Sequence, residues 1–536
     1  VSHAERSERI GAAVIAAALA LCCWAPAHTQ AAPATPSLAK AHAAEALGQA
    51  SDAISELRLD EAERLLAELS ASHAEAPEVL FEQARFAFYV GQYARAVGLA
   101  DRALQGASSH ERKPWQAMRD LMAATEQVTQ PFERAASPDG RYVVFYPPGK
   151  DAVLAEYALE ILGKADRALQ EAFSLPLPAP LRIEIYASPE TLARVSALTA
   201  EQIKTTGTVA LSKFNRLMIT SPKALVRGYP WADTITHELV HLVVSRLTGD
   251  HAPVWLQEGI AKLFERSWRG QGQQLQLDAS ARGLLQNAQT KGKLLTFEQM
   301  HPSIAMLPSE DDAALAFAEV ATFMQLYVQR YGLAALRAAL LQIERGVDAR
   351  EALAKAANVA SFARLEADWK AGLPAKSDAP SPRRLKPRFK VGEGPSDESS
   401  EVAEGEARRY LRLGDLLWDR GRAAAASREY ERAHRADPKD PIVAARFGRA
   451  ALQAGDAQAA IDALAPEVDR YPGHAPTQAL LGAAHLQLGQ REAARAALEE
   501  AIWINPFDPD PHCNLARAVE DVTRAKREQA ACEALR

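Results

Sequence analysis

The feature that most constrains this chain is a spacing of 34 residues that recurs through its C-terminal part. Gly414, Gly448 and Gly482 follow it, as do Gly421, Gly455 and Gly489. So do Ala426, Ala460 and Ala494, and again Pro438, Pro472 and Pro506. Four series with one period imply a repeated unit. Small residues belong where two helices cross, and a proline closes each unit. Such a unit buries its apolar face only against its neighbours, so the units must stack. Three begin near 407, 441 and 475, and a partial fourth from 509, with the charged run Arg524 to Arg527, would cap the stack. A fainter copy lies towards the N-terminus, where Ala62 and Ala96 are 34 apart and Gly91 holds the glycine position. Residues 43–128 therefore read as degenerate helical repeats, or else as a plain bundle of helical hairpins.

Between the two helical parts the pattern changes. Tyr142 to Tyr146 reads as a strand between Asp139-Gly140 and Pro147-Pro148. Residues 151–173 have helical periodicity, Leu181 to Tyr186 alternates like a strand, and Phe214 to Thr220 is a third strand. Residues 312–372 are helical again. Residues 374–405 interleave Pro380, Pro382 and Pro387 with basic residues and then turn acidic. That composition buries little apolar surface, so it predicts a disordered linker unable to fix the C-terminal stack rigidly to what precedes it. Residues 407–536 are accordingly expected to fold separately.

The chemistry is concentrated in His237-Glu238-Leu239-Val240-His241 and in Trp255-Leu256-Gln257-Glu258-Gly259. Histidines four apart on a helix point the same way, so His237 and His241 can hold one metal ion, with Glu238 angled towards a water on it. Asp233 and Thr234 sit where that helix starts, and Asp250 to Pro253 breaks it. Glu258, on the next helix, is the candidate third ligand. Three protein ligands leave a fourth tetrahedral position open, as a catalytic Zn2+ requires. Glu238 is the candidate general base. Glu265, seven residues past Glu258, is a candidate for orienting a ligand histidine. Trp255, Leu256 and Ile260 read as core. Tyr229, His301 and Tyr327 are oxyanion candidates that read more naturally as structural residues, and His251 as a solvated loop residue.

These motifs resemble the gluzincin zinc metallopeptidases, most of all the peptidase MA-like group, over about residues 140–372. The helical run from Ala318-Glu319 to Tyr331-Gly332 and the terminal Leu365-Glu366-Ala367-Asp368-Trp369 are similar to the family's closing segment. One departure is Phe317, where relatives often carry a tyrosine. The 34-residue repeats resemble the tetratricopeptide pattern. The resemblance implies an α+β zincin-like metallopeptidase domain flanked by all-α tetratricopeptide-repeat segments. It also implies that the strand before the zinc helix is the sheet edge where substrate backbone pairs.

The 536 residues carry a net charge of −6 and no basic stripe with interleaved aromatics, so nothing points to nucleic acid. Arg6 and Arg9 precede an apolar run from Gly11 to Ala25, with small residues at Ala25-Pro26-Ala27 and Ala31-Ala32. Residues 1–32 read as an export signal, with a short membrane anchor as the alternative, and place the protein in the periplasm or outside the cell. No later run is long enough to span a bilayer. Of four cysteines, Cys513 and Cys532 lie beyond the leader; they either pair or remain buried thiols. The expected activity is hydrolysis of peptide bonds by zinc-activated water, with the repeats recruiting a protein substrate or partner. The alternative is a non-catalytic envelope assembly factor with a degenerate peptidase domain. Substrate identity, endo- versus exopeptidase action and oligomeric state are not written in the sequence.

Overall fold

Ala62 and Ala96 are both fully buried, and Gly91 takes φ +80° in a turn between helices. The computed structural model describes residues 38–270, 275–373, 382, 384–385, 388–390 and 398–536, so the segment expected as an export signal lies outside the described residues. The described chain opens with five helices, α1 (Leu38–Ser55), α2 (Leu59–His73), α3 (Pro77–Tyr89), α4 (Tyr93–Gly106) and α5 (Ser109–Thr129). The first four pack as two helix pairs, α1 with α2 and α3 with α4.

The central part is a five-stranded sheet with helices against it. Its strands are β1 (Glu133–Ala136), β2 (Tyr142–Tyr146), β3 (Leu181–Tyr186), β4 (Ala210–Lys213) and β5 (Arg216–Thr220), in the order β1-β2-β3-β5-β4. The β2–β3 and β3–β5 pairs are parallel, and the outer pairs β1–β2 and β4–β5 are antiparallel. Two expectations need correcting here. The third strand begins at Arg216 rather than Phe214, because Phe214 and Asn215 form the β4–β5 turn with φ +58° and +56°. The strand before the zinc helix is also not the sheet edge: β5 lies between β3 and β4, so β4 has the free edge.

Helices α6 (Val153–Phe173), α7 (Pro189–Arg194), α8 (Ala200–Thr206), α9 (Trp231–Thr248), α10 (Val254–Phe264), α11 (Ala279–Lys291), α12 (Glu310–Glu344), α13 (Ala349–Ala356) and α14 (Phe362–Gly372) complete this part. The fold is thus α+β in the centre with all-α segments on either side. The main core runs from β2, β3 and β5 through α6, α9 and α10 to α12–α14.

The C-terminal stack comprises α15 (Glu406–Asp419), α16 (Ala423–Ala436), α17 (Pro441–Gln453), α18 (Ala457–Arg470), α19 (Ala475–Gln487), α20 (Arg491–Ile504), α21 (Pro509–Ala518) and α22 (Val522–Leu535). Its two glycine series do different work. A Cβ at Gly414, Gly448 or Gly482 would lie 2.5–2.8 Å from Tyr430, Leu464 or Leu498, so these glycines let paired helices touch. Gly421, Gly455 and Gly489 have φ of +71°, +82° and +72° and make the turns between the helices. Cys513 and Cys532 form a disulfide that ties α21 to α22.

The stack is not a freely tethered unit, which corrects the expectation of a separately placed repeat domain. Leu498, Ile502 and Leu515 belong to the main core of the central part. The indole N–H of Trp231 donates to Ile502 O at 3.1 Å, and Tyr229 N–H donates to Ile504 O at 3.0 Å. Trp268 packs edge-on against Trp503 with ring centroids 4.9 Å apart. At the far end the Tyr157 hydroxyl donates to Glu528 at 2.6 Å. The stretch expected to be a disordered linker is also held where it is described. Phe389 bridges to Leu225, Arg227 and Arg388 both pair with Glu401, and Val402 is fully buried. Composition underestimated it because these contacts are mainly backbone and ionic. The N-terminal helices dock as well: Tyr93 donates to Glu184 at 2.6 Å, and Arg216 reaches the same carboxylate at 3.0 Å.

Glu319 on α12 yields a test of the core. Its side chain is fully buried; Oε1 accepts from Leu295 N–H at 3.0 Å, while Oε2 has no partner among the described residues. Burial pushes its carboxyl up to about 8 from 4.5. Between those values the folded chain holds a proton that the unfolded chain has lost, so stability falls as pH rises, and levels off above about 8. Glu319→Gln is expected to remove this slope. Thermal unfolding should show the variant gaining on the wild type at high pH, by on the order of a few kcal/mol, and not in mild acid.

Candidate metal centre

Helix α9 starts after Pro230, carries Asp233 in its first turn and ends at Gly249, whose φ of +59° supplies the left-handed cap. Its apolar residues Ile235, Leu239 and Val243 face the core. The 3.6-residue turn then leaves His237 and His241 together on another face, with ring centroids 4.9 Å apart. Pro253 precedes α10, where Trp255, Leu256 and Ile260 are buried, as their apolar character implied. Gly259 is required by packing: a Cβ there would lie 2.7 Å from Met324 and 2.8 Å from Val320 O. The close approach of α10 to α12 that this permits fixes the neighbouring Glu258.

One ligand atom from each of His237, His241 and Glu258 lies within 4.8 Å of the others. Glu258 stands 3.2 Å from His237 Nε2 and 3.7 Å from His241 Nε2. Donors about 2.0–2.2 Å from a shared tetrahedral ion are separated by roughly 3.3 Å, so the spacing fits zinc. The three side chains are 15–18% exposed, which leaves the cluster open on one side. Glu238 sits next to them, almost buried, with no hydrogen bond to any described residue; burial pushes it up to about 8.

Glu265 is where the sequence placed it. It meets His237 Nδ1 at 3.2 Å and so turns Nε2 towards Glu258. Desolvation pulls the His237 ring down, but the hydrogen bonds that Glu258 and Glu265 accept from it outweigh this and hold the ring up at about 10. Burial alone would raise Glu265; Lys262, 2.8 Å away, and His237 bring it down to about 2. Burial lowers His241. Lys262 was missed at the sequence level, since a lysine four residues past Glu258 looks like a surface residue until the fold sets it, half-buried, against Glu265. Asp233, read from the sequence only as a helix start, also receives Arg269 at 2.8 and 2.9 Å and Trp268 at 2.8 Å.

Neither tyrosine among the oxyanion candidates keeps a free hydroxyl donor. Tyr229 donates to Thr220 O and Tyr327 to Leu353 O. His301 and His251 are exposed. Phe317 packs against the main core and offers no hydroxyl.

Comparison with known proteins agrees with this geometry. Residues 166–375 match the Peptidase MA superfamily. Residues 407–440 and 475–508 match the tetratricopeptide repeat. No curated protein matches the chain. Among solved structures, a thermophilic tetratricopeptide-repeat protein of Thermus thermophilus is 24% identical, covering 24% of this chain and 72% of its own, with a TM-score of 0.22. The crystal structure of MamA is 21% identical over 25% of this chain and 79% of its own, with a TM-score of 0.22. The first repeat domain of Spaghetti (RPAP3), bound to an HSP90 peptide, is 19% identical over 22% and 93%, with a TM-score of 0.21. The histidine-glutamate cluster thus lies in a segment, residues 166–375, that matches the Peptidase MA superfamily, and the periodic helix pairs in segments that match the tetratricopeptide repeat.

Proposed function

We propose that the protein is a zinc-dependent metallopeptidase that hydrolyses peptide bonds in polypeptide substrates, with Glu238 as general base. The observation that carries this reading is the convergence of His237, His241 and Glu258 around one point, beside the Glu238 carboxylate, which has no hydrogen bond among the described residues. His237, His241 and Glu258 would hold the ion. Zinc, when bound, polarises a carbonyl and lowers the pKa of water. Glu238 takes the proton of the attacking water and returns it to the leaving amine as the C–N bond breaks. Glu265 keeps His237 in the tautomer that presents Nε2, and Lys262 keeps Glu265 charged. The presence of base and ligand set together favours an active enzyme over a degenerate domain.

Export is part of the proposal. It is supported by the basic start and apolar run of residues 1–32 and by the Cys513–Cys532 disulfide, since disulfides persist in oxidising compartments. Among the described residues no helix is long and apolar enough to cross a membrane. N-terminal sequencing of protein recovered from the envelope fraction should find a start near residues 27 to 32. An uncleaved cytoplasmic chain would refute export.

Two measurements test the chemistry. Metal analysis should find about one zinc per wild-type chain and almost none in His241→Ala. Equal zinc in both would remove the site. Glu238→Gln should retain its zinc and lose hydrolysis of an unfolded protein such as casein by about a hundredfold or more, because an amide cannot accept the water proton. Undiminished cleavage with zinc in place would assign the base elsewhere.

A further inference from the structure

A cleft of about 1300 Å³ lies between the peptidase domain and the repeats, lined on the repeat side by the end of α18, the loop after it, α19 and α20. It exceeds the roughly 300–1000 Å³ of small-molecule pockets, so its size suits a chain better than a metabolite. It also adjoins the metal cluster. Glu265, which lines it, holds His237 Nδ1 at 3.2 Å, and Thr234, also in its wall, lies one helical turn before Glu238.

The chemistry of the walls narrows the occupant. On the peptidase side Gln286, Gln289 and Gln325 line the cleft, each partly exposed and without a side-chain hydrogen bond among the described residues. A primary amide offers donor and acceptor together, as a peptide bond does, so such side chains pair with a main chain whatever its sequence. On the repeat side Ala493 and Ala496 of α20 are exposed to the cleft and leave room for a chain to pass close by. Several of the bordering cations are already paired: Lys262 with Glu265, Arg266 with Glu500 and Arg388 with Glu401. That removes much of the field an anionic ligand would need.

We propose that this cleft is a substrate exosite, in which an extended, unfolded stretch of polypeptide is held by its main chain between the repeats and the peptidase domain. The proposal rests on the peptidase reading for the identity of its ligand as substrate; its binding test does not depend on cleavage. The repeats then form one wall of the substrate path.

The test uses the full-length chain with Glu238→Gln, loaded with zinc, and fluorescein-labelled β-casein, an unfolded chain, followed by anisotropy. Two changes are made from opposite walls: Gln286→Ala with Gln289→Ala, and Ala496→Trp, which fills the cleft from an exposed position. Each should weaken casein binding about tenfold or more, with circular dichroism and zinc content unchanged. Val522→Ser, at a residue 66% exposed and outside the cleft lining, should leave binding alone. Casein affinity unaltered by both wall changes would overturn the exosite. So would displacement of casein from the cleft only by a folded protein, and not by unlabelled casein. If cleft-dependent binding holds while the wild type cleaves nothing, the cleft stands as a polypeptide-binding site and the peptidase reading fails.

Discussion

The placement of the whole site depends on how the start of α9 is fastened. Trp231, the first residue of that helix, is fully buried and gives its indole N–H to Ile502 O on α20 of the third repeat. Next to it, Asp233 takes the guanidinium of Arg269, which also pairs with Glu500. An unpaired charge in such a place would cost several kcal/mol, so removing any member leaves the others stranded. These contacts set the helix that carries His237 and His241 against the sheet and the repeats at once. The metal-ligand geometry and the cleft beside it both follow from that placement.

From there a chain of charges leads to the cluster. Lys262 holds Glu265, Glu265 holds His237, and His237 faces Glu258. Each link is partly buried, where a charge-assisted hydrogen bond is stronger than it would be in water. A histidine fixed in this way loses little freedom on taking up a metal. Glu258 is set independently, by Gly259 allowing α10 to press onto α12. The two histidines and the glutamate therefore reach one point by separate routes, and that convergence is the strongest structural argument for function.

What the sequence disclosed was local. His237, His241 and Glu265 were legible because helical spacing alone decides which side chains share a face. The repeat glycines were legible because two physical needs, helix contact and a left-handed turn, recur at one period. β1 and β4 were not, since Glu133–Ala136 and Ala210–Lys213 are too short and too polar to show alternation. The resemblance put the sheet edge on the strand before α9, and β4 beyond it corrects that. The docking of the repeats was hidden for a different reason. Trp231, Trp268 and Trp503 look like ordinary core residues, and nothing in a sequence says whether a tryptophan is buried by its own domain or by another.

That hidden docking changes how the two family modules relate. A repeat stack on a flexible tether would raise the local concentration of a substrate without shaping the site. A stack whose last helices share the core of the peptidase part instead fixes the width of the cleft between them. The shape of that cleft and the position of α9 are then properties of one packed body. Binding there can bias the metal cluster only to the extent that it favours one arrangement of the α9–α20 contact over another. The side chains that would carry such a bias are Trp231, Arg269 and Glu500, since they join the two modules at the start of α9.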